Sequence, residues 1–259
     1  MNRSMNFLIV LVVVIFTSCH SKIKERSEKI YSRHLQKHIT LTIISTPPPS
    51  NKSDFNLLLL NNGFDQDGTM KITDSLYRKK DIKALLIVAI KAFDAKQQFG
   101  VAGITDGQNN GSLASKYSDF IVNELLPYIK KKAAVRSFKS ITIAGVGDGG
   151  ISAFDIAWDN WQKFDKVGIL QDFSNPGRLT DFSAITNKIA KSRKKPKLQF
   201  WLEVEKEQDE SVKEDSSQIN NLIETLRIKN VTPSSVNIQT PLNKHQSLIN
   251  FLLWVNNGN

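Results

Sequence analysis

Short continuous apolar runs alternate along this chain with longer segments in which apolar residues recur at helical spacing. ITLTIISTPP (39–48) is a β-branched run that stops at prolines. DFNLLLLNNG (54–63) ends in Asn-Asn-Gly, the profile of a buried strand followed by a turn, and IKALLIVAIKA (82–92) repeats that profile. SKYSDFIVNELLPYIKKK (115–132) places Tyr117, Phe120, Ile121, Leu125 and Tyr128 on one helical face. Its cationic end suits the helix dipole. A strand over 139–144 and a helix over about 150–160 come next. DKVGIL (165–170) and KLQFWLEV (197–204) are further strands, SSQINNLIETLRIKN (216–230) an amphipathic helix, SSVNIQT (234–240) a last strand and SLINFLLWVNN (247–257) a closing helix.

Strands without polar alternation, separated by helices, predict an α/β fold: a mostly parallel sheet covered on both faces. The less regular stretches 93–114 and 171–196 follow strands, which puts them near the carboxyl edge of the sheet, where such folds hold their sites.

The N-terminus reads differently. Arg3 precedes the uncharged run MNFLIVLVVVIFTSC, too short for a membrane span and suited to a secretory h-region. The only cysteine, Cys19, stands directly after FTS, and this resembles a bacterial lipoprotein signal, although Phe16 is unusual at the first lipobox position. An ordinary signal peptide or an uncleaved anchor that contains a thiol is the alternative. The expected organisation is a signal peptide over 1–18, a lipidated Cys19 with a polar tether over 19–37, and one domain over 38–259. The product is then an exported lipoprotein held on a bacterial envelope membrane through its N-terminal lipid.

The formal net charge is +10, from 35 Lys and Arg against 25 Asp and Glu. The cations fall in short clusters, Lys79-Lys80, Lys130-Lys131-Lys132 and Arg193-Lys194-Lys195, without an aromatic-rich or zinc-binding module around them, so no nucleic-acid partner is expected. The histidines are His20, His34, His38 and His245; His34 and His38 stand four apart, but with no further ligand pattern around them and no second cysteine, no metal site is expected.

The candidate chemistry centres on ITIAGVGDGGISAFDIAW (141–158), a strand, a glycine-crowded turn and a helix. That is the context of the G-x-S-x-G nucleophile elbow, but the turn reads Gly145, Val146, Gly147, Asp148, Gly149. Gly145–Gly150 also satisfies G-x-G-x-x-G, with Asp172 at the end of the next strand, which keeps a dinucleotide-binding reading open. Three strands precede the motif, and Asp148 would set a carboxylate where a pyrophosphate needs positive potential.

From about residue 38 to the C-terminus the chain resembles the esterase family of α/β-hydrolases that contains the enterochelin esterases and related bacterial esterases. LLLLNNGFD, FIVNELLPYIKKK, AGVGDGGISAFDIAW, FDKVGIL and LQFWLEV carry the resemblance in their shared order. It implies an α/β-hydrolase fold with a nucleophile, a base, an acid and an oxyanion hole.

Carried across by residue, the nucleophile position falls on Gly147, the base on His245 in NKHQSLINFLLW, and the acid on Asp209 or, one register earlier, Gln208. The oxyanion-hole positions fall on Gly63 and Asp148. A carboxylate about 4 Å from a developing oxyanion would cost about 4 kcal/mol at an effective dielectric near 20. Where relatives carry an R-x-x-x-Y site, this chain offers Lys96 and Phe99. Ser152 should point away from the site, and Trp158, Trp161 and Trp254 read as helix packing residues. The expectation is a pseudo-esterase without a cofactor that binds a small molecule or protein at the carboxyl edge. The competing expectation is an active ester hydrolase that uses Asp148 as its nucleophile.

Overall fold

The structure, a computed structural model, describes residues 23–61, 65–171, 182–203, 210–231, 236–240 and 243–257. Its organising strand is β3 (Asn56–Asn61), buried along its whole length. Leu57 and Leu59 enter one hydrophobic layer and Leu58 and Leu60 the other. Burial on both faces is why this run shows no polar alternation. Around it lie β1 (Lys24–Ser32), β2 (Lys37–Ser45), β4 (Leu85–Lys91), β5 (Ser140–Val146), β6 (Lys166–Leu170), β7 (Gln199–Glu203) and β8 (Val236–Gln239), in the order β1-β2-β4-β3-β5-β6-β7-β8. β1 pairs antiparallel with β2, and β2 antiparallel with β4. Every pairing from β4 to β8 is parallel. The carboxyl ends of β3 to β8 therefore share one edge.

Helices α1 (Gln66–Arg78) and α8 (Lys244–Asn256) cover one face, burying Ile72, Leu76, Leu248, Phe251, Leu252 and Val255. The other face carries α3 (Ala114–Asp119), α4 (Leu126–Ala133), α5 (Asp148–Asp159), α6 (Ser183–Lys191) and α7 (Glu210–Ile228). A short α2 (Ala95–Gln98) precedes α3. Between α3 and α4 the helix continues as a π turn over Phe120–Leu125. Pro127 in the first turn of α4 explains it: proline has no N–H to bond four residues back, and the wider turn absorbs the break. Trp158 is fully buried, Trp161 packs against the same layer, and Trp254 packs with Trp201 and Phe251 on the opposite face.

Residues 24–32, taken above as part of a polar tether over 19–37, form the edge strand β1, so the folded domain begins before residue 38. KERSEKIYS is mostly exposed, and the face it turns inward carries Glu28, Ile30 and Ser32, so this edge strand leaves little apolar signature. Helices α1 and α6 were also unpredicted. α1 buries just Ile72 and Leu76 among its large apolar residues, too few for a clear period. Cys19 lies outside the described residues, and among the described residues no helix is long and apolar enough to cross a membrane.

Candidate functional site

At the end of β5 the chain turns through Gly147, with φ 52° and ψ −123°, directly into α5. A non-glycine residue is strained in this conformation. The turn is fastened on both sides: Gly147 N–H donates to the Leu170 carbonyl at 3.1 Å, while its own carbonyl accepts from Gly150 N at 2.8 Å and Ile151 N at 3.1 Å. The flanking glycines are steric requirements. A Cβ on Gly145 would stand 2.4 Å from the Gly149 carbonyl, and one on Gly149 would stand 2.7 Å from the Asn61 carbonyl oxygen. The small-x-apex-x-small spacing thus has its structural cause in this chain, with glycine at the apex. Asp148 follows as the first residue of α5 and is exposed, whereas Ser152 is buried.

Asn61 secures the elbow from the neighbouring strand. It is fully buried, donates its Nδ2 to the Gly149 carbonyl at 3.1 Å and accepts the Tyr117 hydroxyl on Oδ1 at 2.8 Å. Burial pushes the Tyr117 phenol far above its usual range, so it remains a neutral donor. Phe99, one of the two residues offered for the R-x-x-x-Y site, is buried with its ring edge-on to Tyr117 at 5.5 Å between centroids. It serves the core. Lys96 is exposed, and its backbone carbonyl accepts from Gly111 N at 2.8 Å.

The loop from 93 to 113 lies beside the elbow helix. Gln98 Oε1 accepts from Phe93 N and Asp94 N, and Asp94 caps α2 through Gln97 N. Ala102 N donates to Asp155 Oδ2 at 2.9 Å, tying the loop to α5. Asp155 is buried, and its other carboxylate oxygen pairs with Lys188 of α6. Burial raises the Asp155 pKa despite that cation, which acts in the opposite sense.

A second cluster, which sequence reasoning missed, sits at the ends of β6 and β7. Glu203 is 4% exposed. Its carboxylate receives Trp201 Nε1 at 3.0 Å, Gln171 N at 3.1 Å, and the Ser247 hydroxyl at 2.8 Å from both oxygens. Burial raises its pKa, and these three donors oppose the shift. Gln171 follows β6 directly, and Ser247 lies in the first turn of α8, so Glu203 draws the start of α8 back over β6 and toward β5. Asn243 caps the same turn by accepting from Gln246 N at 2.9 Å. His245 stands between these two fastenings, on the exposed side of α8. A lone acid closing an apolar strand, and a serine two residues past the histidine, were the only traces of this cluster in the sequence.

Gly147 and His245 thus follow carboxyl ends of parallel strands, β5 and β8, whose axes are three strand spacings apart, about 14 Å. Gly63, Asp172, Gln208 and Asp209 lie outside the described residues, as do the segments 62–64 and 172–181. Among the described residues, no cluster of three or more His, Cys, Asp or Glu could hold a metal ion.

Comparison with known proteins places this geometry. The profile of the family described as "Putative esterase" matches residues 32–252. No curated protein sequence matches the chain. Among solved structures, a ferulic acid esterase superimposes with a TM-score of 0.66 at 16% identity, over 91% of this chain and 98% of that one. The enterobactin esterase of Shigella flexneri superimposes with a TM-score of 0.66 at 17% identity, over 90% of this chain, which spans 58% of that protein's length. An IroE-like serine hydrolase of Shewanella oneidensis gives 0.62 at 18% identity, over 90% and 78%. At these identities the likeness is one of fold.

Proposed function

From the premise that this chain belongs to the "Putative esterase" family and has the α/β-hydrolase fold, we propose that it is a pseudo-esterase, a member that binds a ligand at the carboxyl edge without hydrolysing it. The observation that carries the reading is Gly147: the elbow's backbone is intact, and its apex bears no side chain to attack a carbonyl. Removing the nucleophile of a catalytic triad leaves only the oxyanion hole and binding groups to act, a small remainder of the original acceleration. Asp148 beside the oxyanion position opposes negative charge there. Glu203 and Ser247 maintain the architecture beneath His245, consistent with a retained binding cleft. The ligand class suggested by relatives is an ester or aromatic acid.

The reading includes export and lipidation at Cys19, supported by the apolar run before it and the lone thiol. Replacing Cys19 with alanine should abolish incorporation of labelled fatty acid in a bacterial host; label retained by the variant refutes lipidation there.

Hydrolysis of short-chain and aromatic activated esters tests the pseudo-esterase reading, with wild type beside Gly147→Ser and His245→Ala. Silent wild type supports it, and activity gained by the serine variant would locate an otherwise competent site. Turnover by wild type that is lost in Asp148→Asn overturns it in favour of a carboxylate nucleophile.

A further inference from the structure

The chain's positive charge is concentrated at the edge of the sheet opposite the elbow. RKKDIK (78–83) leads into β4, KKKAAVRSFK (130–139) into β5 and RKKPK (193–197) into β7. These three segments hold 13 Lys and Arg against a single acid, Asp81, so the rest of the chain is acidic on balance against the total of +10. Helix C-termini favour cations, which accounts for Arg78 and Lys130–Lys132. It does not account for Lys83, Arg136, Lys139 or the run after α6, all of which lie beyond the helices. A recess of about 400 Å³ opens at this same edge, lined in part by Lys83, Lys139 and Lys166.

The N-terminal end of the described chain lies at this edge too. β1 is antiparallel to β2, which is antiparallel to β4, so β1 runs in the direction of the parallel strands. Lys24 pairs with Ser45, which pairs with Leu86 at the start of β4. Ile23, the first described residue, therefore lies at the amino edge. The four residue steps from Cys19 to Ile23 span at most about 14 Å.

We propose that the amino edge docks on the surface of an anionic phospholipid bilayer, with the elbow edge turned away from the membrane. Charge complementarity and the short reach to Cys19 point to the bilayer rather than another polyanion. The lipid that we propose on Cys19 would hold the cationic edge within a Debye length of the head groups, where each lysine adds to the attraction. The lipid would supply the durable anchor, and the polybasic surface would add attraction that sets which edge of the domain faces the bilayer.

The test is co-sedimentation of the full chain carrying Cys19→Ala with vesicles of neutral phosphatidylcholine and of phosphatidylcholine mixed with phosphatidylglycerol. The readout is the ratio of the two affinities, which cancels apolar insertion by the N-terminus and does not depend on lipidation. Wild-type surface charge should favour the anionic vesicles, with the preference falling as salt rises. Lys79→Glu, Lys131→Glu and Lys195→Glu together should reduce it at least about tenfold. The same charge change at the other edge, Lys91→Glu, Lys116→Glu and Lys244→Glu, should leave most of it. No anionic preference, or one that survives the first triple variant and is lost in the second, overturns the proposal. So does retention of single-stranded RNA without vesicle preference. Failure of fatty-acid labelling at Cys19 would refute the anchor and leave this outcome to be read by itself.

Discussion

The Oδ1 of Asn61 accepts the Tyr117 hydroxyl at 2.8 Å inside the core, and the same amide holds the Gly149 carbonyl at 3.1 Å. One side chain at the end of β3 thereby couples the α3 helix to the first turn of the elbow helix. Asn61→Leu strands both the phenol and the carbonyl, and an unmet buried polar group costs about 1–3 kcal/mol. The variant should lose about 2–5 kcal/mol in urea denaturation. Tyr117→Phe should lose about 1 kcal/mol. A double variant no worse than Asn61→Leu alone would establish the coupling; strict additivity would refute it.

Gly147 carries a prediction separate from activity. At φ 52° and ψ −123°, a side chain adds about 1–3 kcal/mol of backbone strain. Gly147→Ser should therefore lower stability by that amount whether or not it gains hydrolysis, and Gly147→Ala should match it. Equal or greater stability than wild type in both would show that the turn relaxes. Gly145→Ala should be worse than either, because its Cβ meets backbone at 2.4 Å, where nothing flexible can give way.

What the sequence revealed follows from burial. β3, β4 and the elbow were legible because two-sided burial imposes apolar runs, and because steric contact at Gly145 and Gly149 imposes glycine. β1 was illegible since an exposed edge strand obeys no such rule. Asn61 was read as part of an Asn-Asn-Gly turn, yet it is the last residue of β3 and fully buried. Glu203 and Ser247 are 44 residues apart, and a hydrogen bond over that separation leaves no periodic trace. The same holds for Ala102 and Asp155.

The Asp155–Lys188 pair fixes α5 to α6 behind the elbow. Asp155 is 2% exposed, and Lys188 is shared with Asp159 at 2.7 Å. Lys188→Met leaves a buried carboxylate without its cation, a change that costs about 3–5 kcal/mol. Adding Asp155→Leu should recover part of the loss, although Ala102 N then lacks an acceptor. If Lys188→Met alone proves neutral, solvent reaches Asp155 and the pair is not a fastening.

Lys166 offers a pH-dependent test at the opposite edge of the sheet. It is 3% exposed, with Nζ donating to the carbonyls of Trp254 at 2.8 Å and Asn257 at 2.5 Å, which cap the end of α8. Burial pulls its pKa from 10.5 down to about 8, with Asp165 acting in the opposite sense. The unfolded chain thus holds this proton more tightly than the folded one, so stability rises as pH climbs through the window from about 8 to 10.5. Below 8 both states are protonated and the group adds no slope. Urea midpoints taken below pH 8 and again midway through the window should increase for wild type. Lys166→Met, which cannot titrate, should be less stable at the lower pH through loss of the helix cap and should show a smaller increase. An unchanged slope in the variant would mean that the ammonium is held by its carbonyls at its ordinary pKa, and that capping, not desolvation, governs this lysine.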